Sequence, residues 1–227
     1  MARGLASLAV LTAAVSLSAC SLLPGDKGGG RDTARPAPAV AQPVSRSPAN
    51  KLCLARLADQ GATFSALPDR YFGDGCHTLG TVQLSGLAAD VGTVELGNIG
   101  PVTCPLASTL EGWARYGVDR AARRYLGAPL ARIETFGSYS CRNVAGSSRR
   151  SAHSRAEAVD IAAFVLSDGR RVSVSGDWNS GDGAKRDFLR IVHASACKRF
   201  GTVLGPDYNA AHHDHFHLES GDGSFCR

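Results

Sequence analysis

The chain has 227 residues, 44% of them hydrophobic and 20% charged, with a formal net charge of +5. That length carries one ordinary domain plus extensions, and that apolar fraction belongs to a globular chain. Basic residues never run beyond the pairs Arg123-Arg124, Arg149-Arg150 and Arg170-Arg171, so no nucleic-acid partner is expected.

Arg3 and the apolar residues 5–17 read as a signal peptide over residues 1–19, since the apolar run is too short to span a bilayer. Leu17-Ser-Ala-Cys20 resembles the lipobox of bacterial lipoproteins. It makes Cys20 the expected lipidation site and a lipid anchor the expected link to a membrane. Ser21, where Asp would retain the protein on the inner membrane, points by analogy to an exported lipoprotein on the periplasmic face of the outer membrane. Residues 20–50 are rich in Gly and Pro and read as the lipidated Cys followed by a disordered tether. The folded domain is expected over residues 51–227.

Within that domain, residues 52–58 suggest a short helix and residues 62–75 an irregular entry segment. Residues 79–84 and 92–96 read as strands by β-branched content. Residues 106–126 carry Leu106, Leu110, Trp113, Gly117, Ala121 and Tyr125 at helical spacing, which predicts one long helix with a core-facing stripe. Residues 132–136 predict a central strand, followed by a polar loop over 143–150. Residues 161–166 and 171–174 flank an Asp168-Gly169 turn and predict a hairpin. A second polar loop, 175–183, puts Trp178 near the lip of a cleft. Residues 185–200 predict an amphipathic helix with Phe188, Leu189, Val192 and Ala196 inward, and His193 as a surface or half-buried histidine rather than a ligand. Short strands follow at 202–204 and 216–218. This alternation predicts an α+β fold with a small, mostly antiparallel sheet flanked by helices.

Apart from Cys20, the chain contains Cys53, Cys76, Cys104, Cys141, Cys197 and Cys226. An even number in an exported chain implies three disulfides. Six cysteines allow 15 pairings; our expectation is Cys53 with Cys76, Cys104 with Cys141, and Cys197 with Cys226. No C-x-x-C occurs, so a thiolate metal site is not expected.

Two polar stretches carry the chemistry. The first is Ser151-Ala-His-Ser-Arg-Ala-Glu-Ala-Val-Asp160 and the second is His212-His-Asp-His-Phe-His217. A His and an Asp seven apart, joined later by His-x-His, form a set of nitrogen and oxygen donors that suits a zinc ion with one open position. His215 and His217 share a face if their segment is extended, so one is free to bind metal while the other faces substrate. G-x-S-x-G and H-E-x-x-H are both absent, which disfavours a serine hydrolase and a zincin.

The S-x-H-x(6)-D and H-x-H elements resemble those of the lysostaphin, D-Ala-D-Ala metallopeptidase and hedgehog superfamily of zinc peptidases. Within it, residues 51–227 look most like the bacterial extensin-like C-terminal domain, related to penicillin-insensitive murein endopeptidase. The resemblance implies a hedgehog/D-Ala-D-Ala-peptidase-like fold, Zn²⁺ held by His153, Asp160 and His217, and peptidoglycan stem peptides as partners. It implies hydrolysis of a peptide bond in peptidoglycan, by a D,D-endopeptidase or carboxypeptidase, in cell-wall remodelling. The expected catalytic base is His215, on the same face as His217, with Asp214, where the carboxypeptidase branch places a Glu, as the alternative. Arg142 matches the arginine that holds a substrate carboxylate, and Ser151 and His212 join it as substrate-binding residues; His212 or His213 would stabilise an oxyanion. One departure concerns shape: Ala156 stands where the superfamily often has Gly, at a position where Gly would permit φ > 0. The competing expectation is a non-catalytic wall-binding or structural lipoprotein that keeps the fold. Nothing in the sequence assigns an oligomeric state.

Overall fold

The computed structural model describes residues 47–227; the expected leader, Cys20 and most of the tether lie outside the described residues. Helix α1 (Pro48–Asp59) begins at a Ser47 cap whose side chain accepts from Asn50 N, with Pro48 in the first turn, a position where its missing N–H costs nothing. The helix therefore takes in residues 48–50, the end of the expected tether.

The entry segment is more ordered than its sequence suggests. It contains β1 (Thr63–Ala66) and β2 (Arg70–Gly73), and β2 forms a hairpin with β3 (Cys76–Thr78). Asp74 and Gly75 supply the turn with φ of 49° and 77°, and an Asp-Gly pair is suited to that left-handed geometry. Every residue of β2 is exposed, so no buried face marks it in the sequence.

Strands β4 (Thr81–Ala88) and β5 (Thr93–Gly97) follow, then the short β6 (Val102–Thr103). The long helix is not continuous. It divides into α2 (Cys104–Trp113), a π-helical segment (Ala114–Asp119) and α3 (Arg120–Leu126). Gly117 lies in that segment, and a Cβ there would sit 2.4 Å from Ser195 Oγ and 2.9 Å from Trp113 Cδ1. The glycine thus lets helix α5 (Gly183–Cys197), which carries Ser195, approach closely, and the π segment absorbs the extra residue. Asp119, fully buried, ends the segment by accepting from Leu130 N (2.9 Å) and from Arg123 Nε (3.0 Å).

The rest of the chain supplies β7 (Leu130–Gly137), β8 (Ala158–Leu166), β9 (Arg171–Ser173), α4 (Val174–Asp177), α5 (Gly183–Cys197), β10 (Thr202–Leu204), β11 (Phe216–Glu219) and β12 (Phe225–Cys226). The α4 turn lies inside what sequence reads as loop. The sheet has ten strands in the order β1-β4-β5-β7-β8-β11-β10-β12, with β6 beside β4 and β9 beside β8. It is mostly antiparallel, but β5 pairs with β7 and β10 with β12 in parallel. The fold is α+β, and its main sheet is larger than expected because three short strands, β1, β6 and β12, join the anticipated ones, while β2 and β3 pair apart from it.

A single hydrophobic core joins sheet and helices, with Leu57, Leu87, Trp113, Phe164, Phe188 and Phe216 fully buried. Each such side chain contributes about 1.5–3 kcal/mol by leaving water. Trp113 lies edge-on to Phe164 and donates Nε1–H to Val192 O (3.2 Å), locking α2 to α5. Three disulfides add covalent ties. Cys197–Cys226 is the pair expected; the other two are Cys53–Cys104 and Cys76–Cys141, in place of Cys53–Cys76 and Cys104–Cys141. The correction follows from packing: α1 lies against α2 and brings Cys53 to its start, while β3 lies beside the segment that follows β7.

Candidate functional site

The site forms where three strands end together. In the β8–β11 pairing Asp160 lies directly opposite His217, and in the β7–β8 pairing it lies opposite Gly137. Strand β11 alternates. Phe216 and Leu218 enter the core, which turns His217 and Glu219 to the other face. Sequence places Asp160 just before an apolar strand; it is in fact the third residue of β8, so a strand partner fixes it.

His153 arrives on a short 3-10 turn, Ala152–Arg155. Ser151 caps this turn: its hydroxyl accepts from His153 N (3.4 Å) and its carbonyl accepts from Ser154 Oγ (2.7 Å). The turn ends at Ala156, which adopts φ 56° and ψ 28°. The left-handed geometry that would favour Gly is therefore kept with Ala, at a cost of roughly 1–2 kcal/mol, while the methyl group is fully buried and Ala156 O accepts from Thr103 N (2.9 Å).

The side chains of His153, Asp160 and His217 converge. His153 Nε2 is 3.2 Å from Asp160 Oδ2 and 3.2 Å from His217 Nδ1, and His217 Nδ1 is 2.8 Å from Asp160 Oδ1. Donors about 2.0–2.1 Å from a tetrahedral centre lie ~3.3 Å apart, so the spacing matches. The tautomers match as well. His153 Nδ1–H donates to Ser138 O (3.0 Å) and His217 Nε2–H donates to Glu219 Oε1 (2.9 Å). Each ring thereby turns its other nitrogen, with its lone pair, toward Asp160. Holding the outward N–H on a carbonyl or carboxylate is how metal-ligating histidines are oriented. The donor set fits a zinc-like cation. A second grouping, His193 with Cys197 and Cys226, does not, because both sulfurs are in a disulfide.

Three acceptor atoms this close repel one another unless a proton or cation lies among them. Accordingly, although burial opposes it, Asp160 and Glu219 push the His217 imidazolium up to about 9. Burial raises Asp160, but the bonds to His153 and His217 outweigh it and hold the carboxyl far below its usual range.

Above this cluster is a cavity of about 440 Å³ lined by His212, His215, Arg142, Arg149 and Tyr208, among others. His215 is largely buried, with Nδ1 2.8 Å from Asp214 Oδ1, Nε2 3.5 Å from Asp160 Oδ1, and Phe136 edge-on at 5.9 Å. His212 Nδ1 lies 2.7 Å from Asn209 Oδ1, which also accepts from Ala211 N. That oxygen is an acceptor, so His212 donates through Nδ1 and leaves Nε2 as a lone pair. Burial, reinforced by His215 and His217, lowers the His212 pKa to about 4. His213 points away: it is 70% exposed, with Nδ1–H donating to Ala210 O.

The segment carrying His212 is held from behind. Trp178 Nε1–H donates to Asp207 Oδ1 (2.8 Å), Arg190 pairs with Asp207, and the Arg190 guanidinium lies 3.5 Å over the Trp178 ring. Trp178 is only 3% exposed; it supports this segment and does not line a cleft lip.

Of the residues singled out from sequence, His153, Asp160, His215 and His217 meet at one point; Asp214, His212, Arg142 and Ser151 stand around it. Glu219, Ser138, Asn209 and Arg149 escape the sequence reading. Glu219 was accessible in principle, since it lies two residues beyond His217 on the same face of an alternating strand. Ser138 contributes only its carbonyl, which no side-chain pattern signals.

No curated protein and no solved structure matches the chain. A family model described as extensin-like protein C-terminus matches residues 51–227, from the first turn of α1 through β12 and so across every residue of the site. By that match, the chain belongs to the extensin-like protein C-terminus family.

Proposed function

We propose that the domain is a zinc-dependent peptidase that hydrolyses peptide bonds in peptidoglycan, as a D,D-endopeptidase or carboxypeptidase, on a hedgehog/D-Ala-D-Ala-peptidase-like fold. The observation that carries this reading is the convergence of His153 Nε2, His217 Nδ1 and the Asp160 carboxylate beneath an open cavity, with both outward ring nitrogens already committed. In this reading those three residues hold the ion. A zinc ion bound there would acidify water and polarise a carbonyl.

The remaining steps belong to the chain. His215 accepts the proton of the attacking water on Nε2, because Nδ1–H is engaged by Asp214. Asp214 therefore acts through His215: it fixes the ring and stabilises the imidazolium that forms. Phe136, packed edge-on, restricts the ring. His212 presents Nε2 as an acceptor and so takes a hydrogen bond from a substrate N–H; in this tautomer it has no hydrogen to give an oxyanion. Arg142 binds a substrate carboxylate through its planar fork, and Ser151 caps the turn that aims His153. The expected placement on the periplasmic face of the outer membrane, through a lipid on Cys20, belongs to the same reading.

The test is digestion of purified cross-linked muropeptides by the full-length chain, with and without chelator, beside metal analysis. Release of cleaved peptide that stops with chelator and returns with zinc is the expected result. A zinc-loaded protein that cuts nothing would leave a wall-binding lipoprotein as the function.

A further inference from the structure

The segment between Cys141 and His153 is a small hairpin that presents charge to the cavity. Ser151 N donates to Arg142 O (3.1 Å) and Val144 N to Arg149 O (2.9 Å), on either side of an antiparallel bridge between Asn143 and Arg150. Gly146, with φ 72°, lies in the turn. Alternation then sorts the side chains. Asn143 and Arg150 face outward, where Arg150 bonds Asn143 Oδ1 (2.9 Å) and Asp74 O of the β2–β3 hairpin. Arg142, Val144, Arg149 and Ser151 face inward and line the cavity. The Cys76–Cys141 disulfide ties the base of this hairpin to β3, so its inner face is fixed before any ligand arrives.

Arg142 and Arg149 are diagonal neighbours on that face, roughly 7–8 Å apart with their Cβ atoms somewhat closer. Arg155, Arg170, Arg171 and Arg190 each have a carboxylate partner. Among the described residues, Arg142 and Arg149 have none. Both line the same cavity, from opposite strands of the hairpin. Glu219 is engaged by His217, so each guanidinium keeps its donors for an incoming acceptor.

We propose that Arg142 and Arg149 are two separate carboxylate subsites, and that the peptide occupying this cavity carries two carboxylates, one for each arginine. This rests on reading the cavity as a peptide-binding site. It adds Arg149 as a specificity residue and restricts the substrate class to peptides with two free carboxylates.

The experiment is calorimetric binding to the full-length chain in chelator, which prevents turnover. The probe is L-Ala-γ-D-Glu-L-Lys-D-Ala-D-Ala, which has a carboxylate on D-Glu and another at its C-terminus, together with its two monoamides. Arg149→Ala should weaken the parent peptide roughly 10- to 100-fold and leave one monoamide unaffected. Arg142→Ala should behave the same way toward the other monoamide. Arg149→Lys, which keeps the charge and loses the fork, should lose less than Arg149→Ala. Unchanged binding of all three peptides by Arg149→Ala would overturn the proposal. So would insensitivity of both alanine variants to the same monoamide, which would mean that one carboxylate is shared. Failure of the unmodified protein to bind the parent peptide would instead remove the peptide-site reading, and this inference with it.

Discussion

Asp160 and His217 are directly opposed across β8 and β11, with His217 Nδ1 2.8 Å from Asp160 Oδ1. A cross-strand pair fixes two donors without help from any loop, and His153 completes the set from its capped turn. His153→Ala, Asp160→Ala and His217→Ala should therefore each lose bound zinc. His215→Ala leaves all three donors in place, so its zinc content should equal that of the parent while turnover falls about 10²–10⁴-fold. Asp214→Asn should also keep zinc and lose turnover, because its effect passes through the orientation of His215. Metal analysis beside single-substrate kinetics checks the set. Full zinc occupancy in His153→Ala would show the donors to be wrongly assigned.

Glu219 should matter to metal affinity although it touches no ion. Its carboxylate accepts Nε2–H of His217, which fixes the ring and raises the basicity of Nδ1. Loss of such a partner typically costs 10–100-fold in metal affinity. Glu219→Gln should fall at the lower end, since its amide oxygen still accepts, and Glu219→Ala at the upper end. Competition for zinc with a chromogenic chelator reads this without any assay of activity. Equal affinities for the two variants and the parent would make Glu219 a bystander.

What was legible in the sequence followed local rules. Phe216-His-Leu-Glu219 alternates, so its strand and the face of His217 could be read directly. The separation of His153 from Asp160 marked a pair able to converge, because the first lies on a short turn and the second on the strand that follows it. Long-range choices were not legible. Pairing Cys53 with Cys104 requires knowing that α1 packs on α2, and pairing Cys76 with Cys141 requires the β2–β3 hairpin, whose exposed Arg70-Tyr-Phe-Gly73 strand shows no buried face. The π segment escaped because the stripe through Gly117 and Ala121 keeps its spacing, while the extra residue is accommodated only against Ser195. Arg149 sat in a run of Ser and Gly that reads as plain loop, and only the bridge between Asn143 and Arg150 turns its side chain inward.

The disulfide map is a direct check on the topology. Peptide mapping without reductant should recover Cys53 with Cys104, Cys76 with Cys141, and Cys197 with Cys226. The first two close separations of 51 and 65 residues, for which the chain-entropy model gives about 4 kcal/mol each. Replacing both Cys76 and Cys141 by Ser should lower the urea midpoint and also weaken peptide binding, because that bridge anchors the hairpin carrying Arg142. A recovered Cys104–Cys141 peptide would contradict the packing of α1 on α2.

Glu111 gives the fold a pH dependence of its own, away from the cluster of His153, Asp160 and His217. Its side chain is 2% exposed, and both carboxylate oxygens lie 3.0 Å from Ala88 N at the end of β4. Burial pushes its pKa up to about 7, against the opposing pull of the Ala88 N–H and the Arg115 charge. The ordinary value is 4.5, so between about 4.5 and about 7 the folded chain binds more protons than the unfolded chain at this position. Stability must then fall as pH rises through that window and level off above it. The full shift corresponds to roughly 3 kcal/mol. Glu111→Gln cannot ionise, and its amide oxygen can still accept from Ala88 N. Its urea-unfolding free energy should therefore lack this contribution, so that the difference between variant and parent moves in favour of the variant as pH rises from about 5 to about 8. A difference independent of pH would show that Glu111 ionises in the folded chain as readily as in the unfolded one.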